Sequence, residues 1–133
     1  MIQVVYRSNS MFDDGSSTFF MQIAQIIERS LINNARLQIT GVLAFDAGRF
    51  VQILEGPGRN VDPMLSTILT DRRHSDVCLM SRQPVNARSF GSWSMAFAGG
   101  GSSAGTIMNL LAECDPSSRT YRAAIGALAN CVG

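Results

Sequence analysis

At 133 residues the chain is the size of one domain, and a formal net charge of +1 from scattered arginines leaves no basic footprint for nucleic acid or an anionic membrane. Cys78, Cys114 and Cys131 form no CxxC pair and His74 is the sole histidine, which argues against a disulfide framework or a structural zinc site and for reduced thiols in a cytoplasmic protein. No apolar run reaches the ~20 residues of a membrane span, and the N-terminus has no charged n-region followed by an h-region.

The run "MIQVVY" places Ile2, Val4 and Tyr6 on one side and Gln3 and Val5 on the other, the pattern of a first strand. "SNSMFDDGSS" reads as a turn, with Ser17 as N-cap of a helix whose apolar stripe is Phe20, Ile23, Ile26, Ile27 and Leu31. Asn34 falls within ~20° of Ile23 and Ile27 around that helix, so its side chain leaves on the buried face. "TGVLAFDAGRFVQILEG" gives two strands around the turn "DAGR". Val61, Met64, Leu65, Ile68 and Leu69 mark a second helix, closed by "DRRH". "DVCLMSRQPV" and "WSMAFA" supply two more strands.

The resulting order, β-α-β-β-α-β-β, predicts an α+β, ferredoxin-like sheet with two helices on one face. From Gly99 to Gly105 the Gly/Ser tract "GGGSSAG" predicts a flexible connector. Two short helices follow, carrying Ile107, Leu110 and Leu111, then Tyr121, Ile125 and Leu128. Val5, Val51 and Ile53 give the sheet a second apolar face, and the two C-terminal helices are its natural cover. This divides the chain into a domain at 1–98 and a linker with helical extension at 99–133.

Two motifs read as ordinary structure. "GSSAG", Gly101 to Gly105, has the form of a nucleophile elbow, but the only histidine precedes the serine and the domain is too small for that fold. "GPGRNV", Gly56 to Val61, half resembles a dinucleotide fingerprint, but Val61 replaces the third glycine and Pro57 removes a backbone donor. Arg72, Arg73 and His74 suit a helix C-terminus, where cations complement the dipole; they also suit bidentate binding of a carbonyl or phosphate.

The buried amides demand partners. Gln52 lies mid-strand between Phe50 and Leu54, and Asn34 extends the isoleucine stripe; an unsatisfied amide in such a place costs about 1–3 kcal/mol. If strands 1 and 3 are neighbours, Tyr6 and Gln52 meet on one face. Two readings stay open on these residues: a private Tyr-Gln-Asn network that specifies packing, or a flat polar ligand between the helices, flanked by Ile26 and Ile68.

Five blocks in order, "VVYRS", "NNARLQITGVLAF", "GRFVQILEGP", "DRRHSDV" and "RSFGSWSMAF", resemble the BLUF family of flavin-based blue-light sensors over about Met1 to Phe97. The resemblance implies an oxidised FAD cofactor and no enzymatic turnover. It makes Tyr6 the redox-active tyrosine and Gln52 the switching glutamine beside the flavin N5. Asn34, with Asn33 as a second contact, would bond the pyrimidine edge. Arg73 and His74 would approach the flavin and its ribityl chain, Ile26 and Ile68 would sandwich the ring, and Phe50 is expected to line the same site. Trp93 and Met95 would be the strand 5 pair that relays the change in the Gln52 hydrogen bonds to the terminal helices. "SNSMFDDGSS" is longer than the turn usual in the family. No catalytic domain follows, so the resemblance implies a short BLUF protein signalling to a protein partner or within a homo-oligomer, without direct contact to nucleic acid or membrane. The competing classes are an acylphosphatase-like hydrolase on the same fold, which would need a basic glycine-rich loop where "RSNSMFDDG" stands, and a light-insensitive binding domain.

Overall fold

The computed structural model describes residues 1–10, 17–70, 74–91, 96–99 and 102–128; at His74, in the last strand and over much of the first helix it describes the backbone alone. Its elements are β1 (Ile2–Ser10), α1 (Ser17–Arg36), β2 (Thr40–Asp46), β3 (Arg49–Gly56), α2 (Gly58–Leu69), β4 (His74–Pro84), β5 (Ala96–Gly99), α3 (Ser102–Glu113) and α4 (Arg119–Leu128). The strand order is β4-β1-β3-β2-β5, antiparallel throughout except that β5 runs parallel to β2. This is the expected ferredoxin-like arrangement with a fifth strand added beside β2.

Both faces of the sheet are covered, which is why the neighbours Val4 and Val5 are each fully buried. The period of two sorts successive residues between two cores. Val4, Tyr6, Leu43, Phe45, Phe50 and Leu54 join Val61, Met64, Leu65 and Ile68 of α2 on one face. Val5, Val42, Ala44, Val51 and Ile53 join Met108 and Leu111 of α3 and Tyr121, Ile125 and Leu128 of α4 on the other. The terminal helices therefore do cover the second face. Burying a side chain such as Leu111 contributes about 1.5–3 kcal/mol.

Turn chemistry sets the register between β2 and β3. Ala47 and Gly48, at φ 50° and 78°, make the two-residue turn whose twist matches a hairpin, so Asp46 faces Arg49 and Leu43 faces Gln52. Gly41 has a different reason for being glycine: a Cβ there would overlap the carbonyl of Ile53 across the sheet.

Several boundaries depart from the sequence expectation. Ser8, Asn9 and Ser10 continue β1 instead of opening the turn, because β3 and β4 both extend far enough to pair with them. Most of the expected connector is helical: Ser102 to Gly105 form the first turn of α3, where Gly105 lets the helix close against the Asp46 carboxylate. The "GSSAG" serines therefore stand on a helix, not on an elbow. Thr70 stops α2, its N–H and hydroxyl both donating to the Thr67 carbonyl, and His74 opens β4 opposite Ser10 instead of closing the helix. The turn at Pro57 is plain: its carbonyl accepts the N–H groups of Asn60 and Val61.

Candidate functional site

Tyr6 sits on β1 and Gln52 on β3, directly opposite one another in the antiparallel register. Both are buried, at 3% and 5% exposure. The Tyr6 hydroxyl donates to the Gln52 side-chain oxygen Oε1. An amide that offers its oxygen to a phenol carries its NH₂ group on the other branch, so the same residue presents a donor elsewhere. The strand misfit is thus one half of a cross-strand polar pair on the face that α2 covers.

Asn34 lies in the last full turn of α1 and is 2% exposed. Its main-chain carbonyl accepts the N–H of Leu37 and of Ile39, at 3.1 and 2.8 Å, and both of those residues pack into the core that holds Tyr6. That chain reversal turns the helix end into β2 and fixes the amide on the buried side. Phe50 is buried at 4%, its ring 5.0 Å from that of Phe45 and tilted by 54°. Ile68 is half-buried against the same core. Asn33, one position before Asn34, is exposed.

The remaining expected residues are placed only in part. Ile26 belongs to α1 and His74 begins β4, with no side-chain geometry described for either; Arg73, Trp93 and Met95 lie outside the described residues. Ser8 was not expected. It is 3% exposed and faces Phe50 in the β1–β3 register. Continuing the Val4, Tyr6 alternation one step further would have found it.

Tyr6 and Gln52 place a phenol and a primary amide together on one face, and Asn34 adds a second buried amide at the end of α1. Such a set complements a neutral heterocycle whose edge alternates acceptors and donors, as the flavin ring does, and the aromatic and aliphatic residues around it suit the ring faces. Among the described residues no group of three or more metal-binding side chains occurs.

Comparison with known proteins agrees with this chemistry. The family model described as BLUF, sensors of blue-light using FAD, matches residues 1–96. The beta subunit of a photoactivated adenylate cyclase from Euglena longa is 33% identical over 79 residues, covering 59% of this chain and 9% of that protein. The chain thus spans less than a tenth of that relative. Among solved structures, the dark state of the BLUF protein BlrB superposes with a TM-score of 0.78 at 29% identity, covering 96% of this chain and 93% of the other. The photo-activated state of BlsA shares the fold, with a TM-score of 0.79 at 20% identity over 96% of this chain and 93% of that one.

Proposed function

The chain belongs to the BLUF family, the sensors of blue light using FAD, and on that premise we propose that Tyr6 and Gln52 are its photoactive pair. One observation carries the reading: a buried tyrosine donates its hydroxyl proton to a buried glutamine amide directly across two central strands. When bound, FAD supplies the blue-light chromophore and a transient one-electron acceptor. Tyr6 would be the electron donor, and the bond to Gln52 Oε1 would give its phenolic proton a path. The lasting change this chain would supply is a rearrangement of the hydrogen bonds of the Gln52 amide, with the Tyr6 phenol intact. An amide suits this because its oxygen and NH₂ ends are nearly the same shape and exchange roles without repacking the core.

Asn34 would hold the pyrimidine edge with donor and acceptor together, Asn33 would be a secondary contact, and Phe50, Ile26 and Ile68 would bound the ring. Arg73 and His74 would serve the flavin and its ribityl chain. Trp93 and Met95 carry the change toward α3 and α4. Residues 1–98 form the sensor and 99–133 the extension through which a protein partner or a second copy is addressed. No described helix is long and apolar enough to cross a membrane, and the exposed free thiol of Cys78 suits a reducing cytoplasm.

Illumination of the purified, flavin-loaded protein tests the pair. A reversible red shift in the wild type, abolished in Tyr6→Phe with flavin still bound, is the expected result. A wild-type red shift retained by Tyr6→Phe overturns the assignment.

A further inference from the structure

Glu55 is the one acidic side chain among the buried polar residues of the described core, at 0% exposure. Its Oε2 accepts from Gln3 Nε2 at 3.2 Å and from the main-chain N–H of Ser89 at 2.9 Å. Oε1 accepts from Thr40 Oγ1 at 3.1 Å and from the N–H of Phe90 at 2.5 Å. All four partners are donors. The amide NH₂ of Gln3 and the two backbone groups cannot accept, and Thr40 Oγ1 already receives Arg88 Nη1 at 2.9 Å, so its own proton goes to Glu55. Arg88 also donates to the main-chain carbonyls of Glu55 and Gln38, at 3.0 and 2.6 Å. The carboxylate thus ties β1, β2 and β3 to the connection between β4 and β5.

The geometry of this knot has a direction. Glu55 follows Gln52 by three residues on β3, which spans roughly 10 Å, and β3 is paired along both edges by β1 and β2. Gln52 and Glu55 therefore share a strand that cannot flex independently of its two neighbours. At its other end, Glu55 holds the N–H of Phe90, whose ring is 1% exposed and packs in the core formed by Met108, Leu111, Tyr121 and Ile125 beneath α3 and α4.

We propose that Glu55 is a positioning residue that carries the light-induced change at Gln52 through the sheet to Phe90 and the terminal helix pair. The inference rests on the Tyr6–Gln52 reading for its input, and it supplies an exit that does not pass through Trp93 or Met95. It needs a carboxylate because only an acceptor-only group satisfies four donors at once. In Glu55→Gln one oxygen becomes an NH₂ facing donors, and the clamp on Ser89 or Phe90 opens.

Hydrogen exchange measured in the dark and under blue light, on flavin-loaded full-length protein, tests this. In the wild type, exchange in residues 86–91 and 121–128 is expected to differ between light and dark. In Glu55→Gln, dark exchange of 86–91 rises about tenfold or more and the light-minus-dark difference disappears, while the red shift at the Tyr6–Gln52 pair is kept. Thr40→Val, which deletes one donor isosterically, is expected to give the same pattern in weaker form and covers the case in which Glu55→Gln does not fold. A merely structural role would lower stability equally in both states and leave the light-minus-dark difference intact; that result overturns the proposal. So does a wild-type protein whose residues 86–91 exchange alike in light and dark despite a normal red shift. A wild type without any red shift instead refutes the photoactive pair itself.

Discussion

Replacing Gln52 by leucine removes the acceptor for the Tyr6 hydroxyl while leaving a side chain that fits a buried strand position. Tyr6 is 3% exposed, so water cannot readily replace the lost amide, and losing this buried bond costs about 1–3 kcal/mol. The leucine recovers part of this through apolar burial, leaving a net destabilisation of about 1–2 kcal/mol. For a domain of this size that corresponds to a fall in Tm on the order of 4 °C per kcal/mol. Tyr6→Phe alone removes the donor of the same bond and is destabilising for the mirror-image reason. In the double variant neither partner is left unsatisfied, so the two costs should not add: a coupling energy of about 1–2 kcal/mol is expected. Chemical denaturation of the four flavin-free proteins measures it, with m-values checked for constancy. Strict additivity of the two single changes would show that the pair is not coupled and would remove the structural basis for a switch between these residues.

Two further outcomes concern the scaffold. Tyr121 of α4 is 2% exposed and exchanges a hydrogen bond of 2.8 Å with Ser81 of β4; burial holds its phenol above the ordinary tyrosine range, with the Ser81 bond acting in the opposite sense. Because the folded-state value is raised, its favourable contribution is fully present below the unfolded-state value near pH 10 and is lost as pH rises through the higher folded value. Wild-type unfolding free energy should therefore decline in that alkaline window more steeply than that of Tyr121→Phe, which should also be about 1 kcal/mol less stable at pH 7; parallel pH profiles would contradict the assignment. Gly41→Ala would force a methyl group into the Ile53 carbonyl, and strand-paired backbone cannot yield. Destabilisation of about 3 kcal/mol or more is expected, read as a lowered midpoint in urea, and a change within 0.5 kcal/mol would show that β2 and β3 do not approach so closely.

The polar misfit at Gln52 was legible from local pattern alone, because a period of two assigns each residue of a strand to a face without any knowledge of the neighbouring strand. The same reasoning placed Tyr6 on that face, Asn34 on the inner side of α1, and Val5, Val51 and Ile53 toward a second layer. Five short blocks in order then carried the family, since they preserve residue types that alternation does not require. Other features had no local signature. Glu55 occupies a strand end where a charge normally faces water; its burial depends on Ser89 and Phe90, more than thirty residues later, presenting their N–H groups to it. Gly41 looks like any strand glycine until β3 lies against it. The serines before Gly105 read as linker because glycine and serine favour disorder, and they became helix only because α3 packs on the sheet. Side-chain chemistry and short-range periodicity suffice to say which residues belong inside and which of them want a hydrogen-bond partner. Which group becomes that partner was decided by the tertiary structure, because strand register and chain reversals join residues whose separation along the chain carries no information about their distance.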